Sequence, residues 1–333
     1  MIIKTKRNYV IVGFLFILMV FSCIVISNCI LSESRDTNLD EPEKKDFIKY
    51  VEFNVPYFAL EKAMNIDIES QKEEIKINWI EVLAYLSAKY GGNFKQYKES
   101  DMENVVSELK NGKTIEELTK KMKCYSYYHE VYTAILGEYL GNYTEKNSQE
   151  EKYGLKVFSP IAKTYPFSHC DDFGTSRSYG YKRRHLGHDL MSAVGTPVIA
   201  IESGTVEVLG WNQYGGWRIG IRSFDKKRYY YYAHLRQNRP YHIDLSEGKI
   251  VNAGDVIGYV GRTGYSSNEN TNNIQVSHLH LGLELVFDES QKESNNEIWI
   301  NLYDITRLLE KNKAPVTRNK DTKEFYGINQ IEQ

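Results

Sequence analysis

The sequence has little net charge and little cysteine, and each shortage limits what the protein can be. Its 333 residues carry 42 lysine and arginine side chains against 44 aspartate and glutamate side chains, a formal net charge of −2. Without a basic surplus there is no electrostatic argument for a nucleic-acid partner, and none is expected. Of the four cysteines, only Cys124 and Cys170 lie outside the amino-terminal region. We expect no disulfide between them.

The amino terminus lacks an Ala-x-Ala cleavage site, and its apolar run is long for a signal peptide. Residues 9–27 would span roughly 28 Å as a helix, close to the roughly 30 Å hydrocarbon core of a bilayer. Three basic side chains precede this run and none follows until Arg35. This order predicts a single-pass helix in the cell membrane, a cytoplasmic stub at residues 1–8 and an extracytoplasmic remainder. A cleaved signal peptide is the alternative.

The rest of the chain is long enough for about two folded units, so we expect a multidomain protein. Residues 28–45 are mostly polar and predict a flexible tether. Residues 46–143 show helical periodicity and predict a small all-α domain. Residues 155–312 predict an all-β antiparallel domain, because no long helical pattern separates their strand patterns. The charged tail, residues 313–333, is expected to be disordered.

The helical part has one clear amphipathic stretch that begins at Trp79 and should end at Gly91. Thr114 and Glu117 are spaced as a capping box for a later helix. Glu81 has two interpretations, because residues 77–86 resemble part of lysozyme-like helical domains. It is a candidate general acid for glycan cleavage, or a solvated glutamate opposite the apolar stripe, which we favour. Further helices are expected at 102–109, 114–122 and 128–140.

Short alternating segments predict the strands of the second part. Within residues 229–232, four consecutive tyrosines should alternate, with half of the rings in the core and half along a groove. A short helix is expected at 299–309. The predicted strands are residues 197–201, 205–209, 217–222, 228–234, 256–260 and 276–286.

Six of the eight histidines lie between His185 and His280. In a strand, His278 and His280 share one face while the neighbouring leucines face the core. Imidazole and carboxylate are zinc-type ligands, and a catalytic zinc usually has three protein ligands. His185 and Asp189 could complete the set, and Gly187 between them favours a strand end or a loop over a helix.

Several motifs in this part follow the order found in lysostaphin/LytM-type zinc endopeptidases, and residues 155–290 resemble that family. The resemblance implies a β-rich domain with antiparallel sheets flanking a groove, and the peptide portion of peptidoglycan as the substrate. It also implies that His185, Asp189 and His280 bind Zn²⁺ and that His278 and His234 act on the substrate. The motifs are His185-x-Gly-x-Asp189, Gly195-Thr-Pro-Val198, Gly204-Thr-Val206, Tyr232-Ala-His-Leu235, the run 254–261 and His278-Leu-His280.

The residue types fit this chemistry. Water activated by zinc is available as a nucleophile at neutral pH. His278 could accept its proton and pass it to the leaving amine, and His234 could stabilise the oxyanion. The other histidines are expected to be structural or surface residues. These are His129, His169, His188 and His242.

Residues 265–277 are longer and more polar than the short turn found in many members of the family, and they predict a loop beside the site. Two functions remain open. One is a membrane-anchored zinc endopeptidase that cuts peptidoglycan peptides, in wall remodelling or spore formation. The other is a non-cutting scaffold that binds the wall or an envelope protein. The complete ligand set favours the enzyme.

Overall fold

The computed structural model of the protein describes residues 47–146, 148–179, 181–292, 294 and 296–332. The chain divides into two compact units, Met1–Phe47 and Ile48–Gln333. The predicted stub, membrane helix and tether, residues 1–45, lie outside the described residues. Among those residues that are described, no helix is both long enough and apolar enough to cross a membrane. The predicted division into an α domain and a β domain stays a prediction.

Helices dominate the first part of the larger unit. Helix α2 begins where the Asn78 side chain accepts a hydrogen bond from the backbone of Ile80, and it ends at Gly91, which has φ of 60°. The capping box of Thr114 and Glu117 is confirmed. The helices are α1 (Tyr57–Ser70), α2 (Trp79–Tyr90), α3 (Glu99–Lys110), α4 (Ile115–Thr119), α5 (Tyr125–Leu136) and, near the carboxyl end, α6 (Tyr303–Leu309).

Antiparallel strands make up most of the second part. The first strands are β1 (Leu140–Glu145), β2 (Glu151–Leu155), β3 (Ser168–Cys170), β4 (Ser176–Tyr179), β5 (Tyr181–Arg184), β6 (His188–Met191), β7 (Pro197–Ile199) and β8 (Gly204–Asn212). They are followed by β9 (Gly216–Ser223), β10 (Arg228–Ala233), β11 (Ile250–Val251), β12 (Val256–Tyr259), β13 (His278–Leu285), β14 (Ile298–Trp299), β15 (Val316–Arg318), β16 (Phe325–Gly327) and β17 (Ile331–Glu332).

The main sheet has the strand order β11-β8-β9-β10-β13-β6-β3, with β14 paired to β13. Every pairing in it is antiparallel, which confirms the predicted sheet type. All six predicted strands are present within three residues of the expected bounds. Tyr230 and Tyr232 are fully buried, as alternation requires, because successive side chains of a strand face opposite sides of the sheet.

A buried ion pair connects the sheet to the helices. Arg228 of β10 is fully buried, and its guanidinium donates to both carboxylate oxygens of Glu202, at 2.8 and 2.9 Å. It also donates to the backbone carbonyl of Ala134 in α5, at 2.7 Å. Tyr230 donates to the same glutamate at 2.7 Å. Each charge is therefore matched by hydrogen bonds, as burial demands.

Two predictions differ from the structure. The tail is not disordered over residues 316–332, because it forms β15 to β17 and buries Ile331 in a cluster with Phe158 and Ile199. The last helix begins at Tyr303 rather than Trp299, since Ile298 and Trp299 pair with β13.

Replacing Arg228 with alanine is expected to lower the free energy of unfolding by about 3–5 kcal/mol, because Glu202 would remain buried without its partner. Denaturant unfolding of the full chain, followed by circular dichroism, measures this. Lys182→Ala, at an exposed position of β5, is the control and should change stability by less than about 0.5 kcal/mol. A loss as small as the control's would show that this pair does not hold the helices to the sheet.

Candidate metal centre and cleft

The pairing of β6 with β13 brings two candidate ligands together. Asp189 lies directly opposite His280 in the antiparallel register. His278 and His280 share the face that Asp189 uses, and the intervening Leu279 is fully buried behind the sheet. His185 lies in the loop between β5 and β6, as Gly187 predicted. Residues distant along the chain therefore meet at one edge of the main sheet.

Three atoms of these residues form a small triangle. Nε2 of His185 lies 2.9 Å from Nδ1 of His280 and 3.1 Å from Oδ1 of Asp189. Nδ1 of His280 lies 3.0 Å from the same carboxylate oxygen. Among the described residues, this is the group of histidine, cysteine and carboxylate side chains arranged to hold a metal ion.

The triangle fits zinc in both chemistry and size. Zinc bonds of about 2.0–2.1 Å in a tetrahedral arrangement place ligand atoms about 3.3 Å apart, and the three edges here are only slightly shorter. Two imidazole nitrogens and one carboxylate oxygen are a zinc-type set, whereas calcium and magnesium prefer oxygen ligands. The fourth tetrahedral position would be left to water or substrate.

A second layer of side chains orients the ligands. Oδ1 of Asp172 lies 2.8 Å from Nδ1 of His185 without the angles of a hydrogen bond. The negative charge of Asp172 at this distance favours the proton on Nδ1, which leaves the lone pair of Nε2 for a metal ion. Arg177 donates to Asp172 and, at 3.0 Å, to Oδ2 of Asp189. Burial alone would raise the pKa of Asp189, but the adjacent imidazoles of His185 and His280 outweigh it and lower the pKa below its usual range. The carboxylate is therefore ionised.

Gly187 makes room for His280. A Cβ atom at this position would lie 2.5 Å from Cε1 and 2.6 Å from Nε2 of the imidazole ring, and 2.7 Å from the carbonyl oxygen of Leu281. These distances are too short for any side chain. Glycine between His185 and Asp189 is thus required by the ring that completes the triangle.

Two further imidazoles face the same region. Nδ1 of His278 lies 2.8 Å from the carbonyl oxygen of Val276, and its Nε2 lies 3.7 Å from Oδ2 of Asp189. Nδ1 of His234 lies 2.9 Å from the carbonyl oxygen of Thr263. Since a carbonyl only accepts, both rings carry their proton on Nδ1 and leave Nε2 as an acceptor. The two ring centroids are 4.9 Å apart.

Backbone geometry directs His234 into the site. It follows β10 and has φ of 59°, in the left-handed region that few non-glycine residues adopt. Burial lowers the pKa of His234 well below its ordinary value, and the nearby His278 lowers it further. The ring is therefore neutral at pH 7. The predicted role as an oxyanion donor then requires that Nε2 first receive a proton.

All five predicted site residues line one cleft of about 450 Å³. Tyr231 lines it too, as the alternation of the tyrosine run predicts. Tyr265 and residues 273–276 form part of its wall, which confirms the predicted loop beside the site. Asn270 fixes this loop, because it accepts a hydrogen bond from Nε1 of Trp217 at 2.9 Å.

Residues 183–294 match the model of Peptidase family M23. This M23 region contains all three atoms of the triangle and both further imidazoles.

Similar proteins include the L-Ala–D-Glu endopeptidase of Bacillus subtilis (strain 168), 37% identical over 124 residues, which are 37% of this chain and 36% of that protein. Lysostaphin of Staphylococcus simulans is 40% identical over 98 residues, 29% of this chain and 17% of that protein. The match thus spans little more than a third of the first relative and less of the second. The crystal structure of a lytM protein from Ruminococcus gnavus ATCC 29149 is 25% identical and covers 75% of this chain and 88% of that one, with a TM-score of 0.49.

Other candidates from the sequence lie away from the triangle. His188 in the M23 region is buried on the far face of β6, where its Nε2 lies 2.8 Å from Nδ1 of His169, and burial lowers its pKa to about 4. Nε2 of His169 in turn lies 2.7 Å from Glu310. His242 packs against Tyr326. These three histidines make structural contacts, as predicted.

Glu81 is half-buried on α2, and burial raises its pKa. His129 lies on α5 and stacks on Tyr125. Neither residue lines the cleft of the M23 region. Cys124 and Cys170 are both free thiols.

Sequence reasoning missed Asp172 and Arg183 and gave Arg177 no role. Asp172 and Arg177 precede the M23 region, and nothing in their spacing indicates contact with His185 or Asp189. Local periodicity around residues 176–184 does not specify the register that sets Arg177 opposite Arg183. That register is observed in β4 and β5.

Replacing Gly187 with alanine should weaken zinc binding by the full chain roughly 10- to 100-fold, the range for damage to ligand orientation, because the new Cβ displaces His280. Calorimetric titration with zinc measures the affinity. The control is Gly141→Ala, whose Cβ would meet only the flexible Lys156 side chain, at 3.4 Å. Unchanged affinity in the Gly187 variant would show that His280 is not a ligand.

Proposed function

We propose that the chain is a zinc-dependent endopeptidase that hydrolyses peptide bonds in the peptide portion of peptidoglycan. The observation that carries the proposal is the triangle of His185, Asp189 and His280 with two further imidazoles facing the same cleft. The match to Peptidase family M23 and the endopeptidase relatives support it. The name of one relative specifies a bond between alanine and glutamate, which agrees with a peptide substrate.

The triangle would hold the ion through Nε2 of His185, Oδ1 of Asp189 and Nδ1 of His280. Zinc, when bound, supplies a Lewis acid that polarises the scissile carbonyl and makes water a nucleophile near neutral pH. Arg177 donates a hydrogen bond to Oδ2 of Asp189. This leaves Oδ1 as the carboxylate oxygen that would bind the ion. Asp172 keeps His185 in the tautomer that binds through Nε2.

His278 would accept the proton of the attacking water. Its Nδ1 is engaged by the Val276 carbonyl, so the unprotonated Nε2 points toward the Asp189 side of the triangle. After accepting the proton, Nε2 becomes a donor and can protonate the leaving amine. A positioned base of this kind contributes typically 10²- to 10⁴-fold to the rate.

His234 faces the same cleft from the carboxyl end of β10. Its Nδ1 donates to the backbone carbonyl of Thr263. In its neutral form its Nε2 accepts a hydrogen bond and can orient the attacking water. To stabilise the oxyanion instead, the same atom would first have to take the proton of the attacking water in place of His278. His278 lies nearer the metal ligands and would therefore carry that proton to the leaving amine.

The membrane anchor belongs to the same proposal. Basic residues before the apolar run, residues 9–27, support a cell-membrane location with residues from 28 onward outside. Peptidoglycan lies on that side of the membrane. A part in wall remodelling or spore formation would follow from that location.

The proposal is tested by incubating the full chain with purified peptidoglycan under three conditions: with zinc, with a chelator, and with zinc restored. Mass spectrometry should show new amino termini in the first and third conditions only. His185→Ala should lose zinc and hydrolysis together, whereas His278→Ala should keep zinc and lose about 10²- to 10⁴-fold in rate. His129→Ala, outside the cleft, is the matched histidine control and should retain activity.

Other results of this experiment would support other functions. Wall binding without new amino termini would favour the non-cutting scaffold. Capture of an envelope protein would point the same way. New reducing sugar ends, abolished by Glu81→Gln, would favour glycan cleavage by the helical part.

A further inference from the structure

The hairpin of β4 and β5 presents two arginines to the cleft. Arg177 lies directly opposite Arg183 in the antiparallel register, and both side chains line the cleft. The neighbours of Arg183 in β5, Lys182 and Arg184, are exposed on the other side of the strand. Like charges directly opposite each other on a sheet are destabilising, so this pairing requires compensation.

Only one of the two arginines is compensated by carboxylates. Arg177 donates to Asp172 and Asp189, which neutralise it. Among the described residues, Arg183 forms no ion pair within 4.0 Å. Its one hydrogen bond with these residues goes to the hydroxyl of Tyr265. Its Nε is buried and has no hydrogen-bond partner among the described residues. Most of its five donors therefore remain available.

Aromatic rings hold this guanidinium in place. Its central carbon lies 5.0 Å from the ring centroid of Tyr265 and 5.1 Å from that of Tyr214. The rings fix the guanidinium plane without neutralising its charge. Tyr265 also lies 5.9 Å from the ring of His234, so one aromatic ring separates Arg183 from the catalytic imidazole.

A planar guanidinium that is held rigid, lacks a carboxylate partner and borders an open cleft is suited to bind a carboxylate through paired hydrogen bonds. Given the proposed peptidase function, on which this inference rests, we infer that Arg183 binds a carboxylate of the substrate peptide close to the scissile bond. An extended peptide of about three residues or fewer covers the distance between Arg183 and His234 across the ring of Tyr265.

The inference assigns a substrate class. Peptides with a free carboxylate beside the cut bond are the preferred substrates, and peptides built only from neutral residues such as glycine are poor ones. Arg183 sets specificity and takes no part in proton transfer. Its loss should therefore affect acidic substrates and leave neutral ones largely unchanged.

The test begins from the bond identified in the peptidoglycan digest. Synthetic peptides containing that bond are prepared in pairs, with each nearby carboxylate replaced in turn by a carboxamide. For the zinc-loaded full chain, kcat/KM should be roughly 10- to 100-fold higher for one acid than for its amide, as expected for a charged hydrogen bond. Arg183→Gln should remove this preference by slowing the acid alone.

Two more variants separate charge from structure. Arg183→Lys keeps the charge but loses the planar fork, so the preference should fall without vanishing. Arg184→Gln, at the neighbouring exposed position, is the matched control and should keep the preference of the parent chain. The inference is overturned if the parent chain cuts acid and amide equally, or if Arg183→Gln slows both equally.

Failure of the proposed function gives a different result. If no peptide is cut, that function is overturned, and peptidoglycan stem peptides, each paired with the form in which one carboxylate is a carboxamide, are compared by calorimetric binding. An acid preference that Arg183→Gln abolishes would still support Arg183 as the carboxylate site. Equal affinities for acid and amide would overturn that assignment as well.

Discussion

The antiparallel pairing of β6 with β13 is the constraint on which the site depends. It sets Asp189 opposite His280 and turns both toward the cleft, while the leucines of β13 fill the core on the other face. Register and burial are linked, because a slip of one residue would move the histidines into the core and the leucines into solvent. The apolar core therefore fixes the geometry of the candidate metal centre.

The remaining ligand depends on a loop and on its supports. His185 comes from the connection before β6, where its backbone N–H donates to the carbonyl of Thr175 and its carbonyl accepts from Gly174. Asp172 and Arg177 add restraint through side chains, and Gly187 leaves the space that His280 needs. Three chain segments thus converge, and the supports lie partly outside the region that matches Peptidase family M23. Such supports hold a ligand set in place before the ion arrives.

Alternation and turn chemistry made much of the fold predictable. The leucines of β13, the tyrosines of β10, the glycine after α2 and the capping box at Thr114 are local patterns, and each gave the correct element. The ordered tail could not be inferred in this way, because its few apolar residues, Ile331 among them, are scattered in a polar stretch and their partners are distant along the chain. The same holds for Asp172, whose contact with His185 depends on how a loop folds. The placement of Arg183 follows from a cross-strand register that local periodicity does not specify.

The central claim is that one ion is held jointly by His185, Asp189 and His280. Anomalous scattering at the zinc edge, from crystals of the zinc-loaded chain, tests it most directly. The account predicts a single strong peak at about 2.0–2.1 Å from Nε2 of His185, Oδ1 of Asp189 and Nδ1 of His280. A peak elsewhere, such as between His169 and His188, or no peak in a chain shown to contain zinc in solution, would contradict it.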